Sequence, residues 1–165
     1  MGVPLILVLY MIGFGVPGLD LGFISYLPAV ASGIISLILV YSAYVAEVYR
    51  AGIESVHESQ NAAARSLGLT RWQSLRFVVL PQAVRRVIPP LLNDFIGLQK
   101  DTALVSVLGS IEAARAAQIY AASEFNYASY VVAAFLFVLI TIPLARFTDR
   151  LIARDKRRRE AGALA

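Results

Sequence analysis

The chain has no cysteine and a single histidine, His57. The first absence excludes disulfides, thiolate zinc sites and cysteine nucleophiles, and is compatible with any compartment. The second leaves out the paired imidazoles of the usual metal centre, and His57 beside Glu58 reads as a surface residue near a helix start. There is no Gly-Lys pair, hence no phosphate-cradling loop, and no nucleophile, base and orienter set for a hydrolase. No internal repeat and no Ser/Gly linker divides the 165 residues. Charge is scarce: Asp, Glu, Lys and Arg make up 16%, none lies between Asp20 and Glu47, and none lies between Glu124 and Arg146.

What is there is apolar, 58% of the chain, more than a one-domain soluble core needs. A helix over residues 24–46 would be about 34 Å long against roughly 30 Å of hydrocarbon, a complete crossing. Residues 130–144, with Phe135, Leu136, Phe137, Val138, Leu139 and Ile140, predict another. Residues 3–16 are apolar but short, and Gly13, Gly15 and Pro17 interrupt them, so they read as half a span. No basic residue precedes them as in a signal peptide, and the Met1-Gly2 start lacks the Ser or Thr at position 6 of a myristoylation site.

Of the 15 Lys and Arg residues, six lie in residues 50–86 and seven in residues 146–159. Basic loops stay in the cytoplasm, so both strong spans end inside and the chain between Arg86 and Glu124 must cross back once. That return is expected from near Val87 to around Val107, with Pro89-Pro90 opening it. Lys156 to Arg159 reads as a stop signal facing lipid headgroups. The organisation expected is one membrane domain over 1–165, a cytoplasmic loop at 50–86 and a basic cytoplasmic tail at 146–165.

Within the loop, Ser55-Val56-His57-Glu58 has the spacing of a capping box, and Ala62, Ala63, Ala64, Arg65 and Leu67 favour a helix that Gly68 ends. Thr70-Arg71-Trp72-Gln73 is a second box. It opens a helix with Trp72, Leu75 and Val79 on one face, expected to stop at Pro81. Three readings compete for this helix, glycine turn, helix. It could read DNA, with Arg71 and Gln73 at the second helix start, although Leu75, Phe77, Val78, Val79 and Leu80 leave that helix little polar face. It could merely cap its own spans. It could dock in a cleft of a cytoplasmic motor protein.

The third reading carries a resemblance. Ala62-Ala63-Ala64, then Gly68, then Val78-Val79-Leu80-Pro81 are spaced like the loop signature of bacterial ATP-binding-cassette importer permeases: Glu-Ala-Ala, three residues, Gly, nine residues, Ile-x-Leu-Pro. Glu112-Ala113-Ala114 spells the triplet too, but Gln118 stands where Gly is required, so it is a decoy. Ala46 to Ile53, Asn93-Asp94-Phe95-Ile96, Lys100 to Ser106 and Val3-Pro4-Leu5-Ile6 resemble the polar amino acid branch, so the likeness covers nearly the whole chain. Ala62 replaces the motif's acidic residue, and Glu58, one turn earlier, would substitute for it. The likeness starts where the family is already mid-domain, Met1 standing in an Arg position, so the family's first span or spans are expected to be missing and the chain to be shortened, a degenerate copy, or read from a late start.

The resemblance implies an all-α membrane protein with the type I importer permease fold and a cytoplasmic coupling helix, multi-pass in the bacterial cytoplasmic membrane with its C-terminus inside. It implies the transmembrane subunit of an ATP-driven importer of polar amino acids, with no ATPase site and no cofactor of its own. ATP and Mg would be bound by a dimer of cytoplasmic ATPase subunits. A second permease subunit, like or unlike, an extracytoplasmic solute-binding protein, the amino acid and lipid complete the expected partners; no nucleic acid is among them. The ATPase-coupling residues would be Glu58, Gln60, Ala62, Ala63, Ala64, Gly68 and Trp72.

Asp94, about 12 Å along a helix from Arg86, falls near the middle of the return span, where a lone charge is expensive. It would line the solute path or accept a hydrogen bond from a neighbouring span. Lys100 and Asp101 would meet the charged groups of the amino acid, Thr102 beside them, or form an outer-interface salt bridge. Glu112 and Arg115, at i and i+3, sit on an Ala-rich outer helix that reads as a surface element or as a contact for the solute-binding protein.

Overall fold

The computed structural model describes residues 3–20, 22 and 27–163, with side chains as far as Arg154. Met1, Gly2 and the expected start of the first strong span at Ile24 lie outside the described residues, as do the side chains of Lys156 to Arg159. Every regular element among the described residues is helical. Helices α1 (Leu5–Tyr10) and α2 (Val16–Gly18) flank a π turn, Met11–Gly15. The long helix α3 (Ala29–Glu54) is followed by α4 (Glu58–Ser66) and α5 (Arg71–Ser74), a second π turn (Leu75–Val79) and α6 (Leu80–Asp101). A 3-10 stretch, Thr102–Leu108, leads to α7 (Ala113–Glu124) and α8 (Ala128–Ala163).

Among the described residues, two stretches are long and apolar enough to cross a bilayer, Ala29–Glu54 and Ala128–Arg154. They are the two charge-free runs of the sequence, extended at their C-terminal ends by residues that carry charge. Helix α6 has the length but carries Arg85, Arg86, Asp94, Lys100 and Asp101. It begins at Leu80, seven residues before the expected start of the return span, and holds Pro89 and Pro90 inside it. The expected end near Val107 falls in the 3-10 stretch, which Gly109 closes in the left-handed region.

Pro81 does not end a helix. Its ring would strike the carbonyl four residues back in a regular coil. The π turn at Leu75–Val79 widens the backbone immediately before it, the Leu80 N–H bonding the Leu75 carbonyl, and the helix continues. The same arrangement occurs at Met11–Gly15, where the Val16 N–H bonds the Met11 carbonyl just before Pro17.

Residues cluster into two compact units, Met1–Ser42 with Ile96–Leu144, and Ala43–Phe95 with Ala145–Ala165. In the first, close approach is set by glycine: a Cβ on Gly33 would collide with the Val105 side chain, and one on Gly13 with that of Leu108. Leu9 is fully buried, as is Ser36, whose hydroxyl donates to the Ser32 carbonyl at 2.8 Å. Ala117 of α7 is buried, and its carbonyl accepts from the Ser129 hydroxyl of α8 at 2.8 Å. In the second unit, α3 and α6 meet where a Cβ on Gly52 would collide with Val87. Ala83 and Val87 are buried there, and the Arg86 guanidinium donates to the Ser55 carbonyl.

Candidate functional site

The hairpin of α4 and α5 is built from local chemistry. The cap of α4 is His57 rather than Ser55: Nδ1 of His57 accepts from the Ser59 N–H at 3.2 Å. Ser55 donates its hydroxyl back to the Gly52 carbonyl at 2.7 Å, serving the end of α3. Only three residues separate the helices, too few for Ser55 to leave the first and start the second. At the other end of α4, Gly68 adopts φ 86°. Its N–H reaches the Arg65 carbonyl and the Leu69 N–H reaches the Ala64 carbonyl, so two orphan carbonyls are satisfied by one left-handed residue. The expected box then forms in full: the Thr70 hydroxyl accepts from the Gln73 N–H, and Gln73 Oε1 accepts from the Thr70 N–H at 2.9 Å.

The two short helices are pinned together by Ser74, wholly buried, whose hydroxyl donates to Asn61 Oδ1 at 2.6 Å. Ala64 faces inward with 5% exposure, which removes it from any outer docking face. Glu58, Gln60, Ala62 and Ala63 are exposed, as are Leu67 at 82% and Trp72 at 68%. Of the three residues expected on a single face, Leu75 and Val79 line one groove and Trp72, exposed, does not join them. A groove of about 530 Å³ runs along the hairpin, lined by Glu58, Asn61, Arg65, Arg71, Leu75 and Val79 among others. The four-residue α5 continues through the π turn into α6, so the separate recognition helix of a DNA-reading hairpin does not form.

The polar residues of α6 fall in different surroundings. Asp94 is half-buried, and its Oδ2 is buried with no hydrogen-bond partner among the described residues. Asp101 Oδ2 accepts from the Tyr41 hydroxyl of α3 at 2.9 Å. Lys100 is exposed and lines a cavity of about 340 Å³ with Ala103, Phe137, Val138 and Thr141. Thr102 is exposed and donates to the Gln99 carbonyl at 2.7 Å, while Gln99 Oε1 accepts from the Thr141 hydroxyl of α8 at 2.9 Å. Tyr41, Gln99 and Thr141 were not singled out by the sequence, since a Tyr or Thr inside an apolar run gives no sign of its partner. On α7, Glu112 caps the helix, accepting from the Ala114 and Arg115 N–H groups, and the Arg115 guanidinium turns to Gln118 instead of pairing with Glu112. No group of three or more His, Cys, Asp or Glu able to hold a metal lies among the described residues.

Among the described residues all regular structure is helical, with two bilayer-length apolar helices and a capped, exposed hairpin between them in sequence, an arrangement that fits a membrane protein of the permease class. The chain belongs to the family of binding-protein-dependent transport system inner membrane components, whose model matches residues 1–158. It is 38% identical over 142 residues to a probable amino-acid permease protein, YxeN, of Bacillus subtilis (strain 168), covering 86% of this chain and 63% of that one. It is 35% identical over 144 residues to a probable glutamine ABC transporter permease protein, GlnM, of the same organism, covering 87% and 65%. The chain thus spans somewhat less than two thirds of these relatives. Among solved structures, a crystal structure of an amino acid ABC transporter with histidines superimposes with a TM-score of 0.84 at 35% identity, over 93% of this chain and 70% of that one. The fold is therefore the permease fold that the loop signature implied.

Proposed function

We propose that the chain is the transmembrane subunit of an ATP-driven importer of polar amino acids in the bacterial cytoplasmic membrane. Residues 50–86 form its cytoplasmic loop and residues 146–165 a basic cytoplasmic tail within one permease domain. The observation that carries the reading is the α4–α5 hairpin. It is capped at both helix starts, closed by Gly68 and pinned by Ser74, and it presents the exposed Leu67 and Trp72. A short element stiffened in this way and left with an apolar tip suits docking into a cleft of another protein. Glu58, Gln60, Ala62, Ala63, Gly68 and Trp72 would make the coupling surface, with Ala64 behind it as packing. An ATPase dimer binding ATP and Mg would push on it and bias the spans between inward and outward access. A second permease subunit, like or unlike, completes the path, and an extracytoplasmic solute-binding protein supplies the amino acid.

Asp94 is the strongest candidate on the solute path, because a buried carboxylate oxygen lacking a donor costs about 1–3 kcal/mol or more and invites a cationic ligand group. Lys100 and Thr102 would act near the other end of α6, and Asp101 would do so through its pairing with Tyr41. The absence of native cysteine makes the test direct. Ala63→Cys should react with an impermeant thiol reagent only from the cytoplasmic face, and should cross-link to the ATPase in the intact complex. Labelling from outside, or no cross-link in an assembled complex, would sink the reading.

A further inference from the structure

Arg85 of α6 and Arg154 of α8 line a cavity of about 300 Å³ whose remaining walls are Ile88, Pro89, Leu92, Leu151 and Ile152. Each of the chain's two basic runs thus contributes one guanidinium to the same cavity. Among the described residues, no acidic side chain belongs to the lining. Arg86, the next residue, is committed elsewhere, to the Ser55 carbonyl. The charge-free stretch of α8 ends at Arg146, about two turns before Arg154, and Arg85 lies just ahead of the expected return span, so the cavity sits on the basic side of the apolar segments, within reach of phospholipid headgroups.

We propose that this cavity is a binding site for an anionic phospholipid, its phosphate between Arg85 and Arg154 and its acyl chains against Ile88, Leu92, Leu151 and Ile152. The chemistry of the walls selects this occupant. Two forked guanidiniums match phosphate oxygens, and the aliphatic walls match hydrocarbon. A free phosphate would leave the aliphatic side chains against water. A zwitterionic lipid would bring its own cation towards two fixed positive charges that no carboxylate among the described lining residues offsets. Bound there, the lipid would tie α8 to α6, the helix that runs on from the hairpin. The inference rests on the chain being a membrane protein and not on its coupling to an ATPase.

The test is native mass spectrometry of the purified full-length chain in detergent, titrated separately with phosphatidylglycerol, phosphatidylcholine and inorganic phosphate. Phosphatidylglycerol should be retained preferentially and lose that preference as salt rises. In Arg85→Gln/Arg154→Gln its affinity should fall roughly 30-fold, about 1 kcal/mol for each charge removed, whereas Arg85→Lys/Arg154→Lys should keep most of it. Equal retention of the two lipids, a preference that salt does not weaken, or an unchanged preference in the Gln variant would overturn the site. Displacement of phosphatidylglycerol by an equal concentration of inorganic phosphate would overturn the lipid as its occupant. Should the Gln variant fail to elute as a single species, the salt titration of the native chain decides alone. None of these outcomes alters the Ala63 cross-link, so failure here is separable from failure of the transport reading.

Discussion

The hydroxyl of Tyr41 donates to Asp101 Oδ2 at 2.9 Å, linking residues 60 positions apart on α3 and α6. The pair depends on a missing side chain, since a Cβ on Gly97 would stand 3.2 Å from that same hydroxyl oxygen. Tyr41→Phe removes the donor and leaves a part-buried carboxylate short of a partner, so it should destabilise the protein by about 1–3 kcal/mol in thermal unfolding in detergent. Gly97→Ala should be near neutral, because the gain in helix propensity, about 1 kcal/mol, offsets a small displacement of the hydroxyl. Gly97→Val should behave like Tyr41→Phe. A Tyr41→Phe protein as stable as the parent would show that the pair contributes nothing.

Gly68 holds φ 86° with nothing within 4 Å of a hypothetical Cβ, so its substitution strains backbone without causing a clash. Gly68→Val should cost about 1–2 kcal/mol locally and open the turn between α4 and α5, leaving membrane insertion intact. In proteoliposomes with the proposed ATPase and solute receptor, ATP hydrolysis should continue while uptake falls. Normal uptake would count heavily against a docking role for the hairpin.

Ser74→Ala deletes the donor to Asn61 in a site with no exposure. The expected loss is about 1–3 kcal/mol, with looser packing between the short helices. Hydrogen exchange over residues 58–74 should rise relative to residues 29–42, and equal rates in variant and parent would refute the pin.

Asp94→Asn keeps shape and removes charge at an oxygen that no described residue satisfies. Thermal stability should hold or increase, and amino acid uptake should drop by at least about tenfold, equivalent to 1.4 kcal/mol. Lost stability with unchanged uptake would make Asp94 structural.

The apolar helices were legible because lipid imposes a crude, length-based rule that charge-free stretches obey. Thr70 and Gly68 were legible because a cap and a left-handed turn act within a few residues. Ser55 misled, since its spacing suits a cap but a nearer helix end claims its hydroxyl. Pro81 misled for a different reason: the stop rule assumes a regular coil, and a widened turn relieves the clash. The Tyr41 to Asp101 and Thr141 to Gln99 bonds could not be read at all, because only the packed fold brings those residues together.

The π turn before Pro81 fixes a count as well as a shape. Each residue in a helix advances the azimuth by about 100°, so the number of residues between the Thr70 cap and Pro81 sets the direction in which every later side chain of α6 emerges. Deleting any one of Leu75 to Val79 would return the coil to its regular pitch and drive the proline ring into a carbonyl. It would also swing Asp94 and Asp101 more than a quarter turn about the axis. Substitution there is a matter of packing, whereas a change of length rewrites the phase of the whole rod.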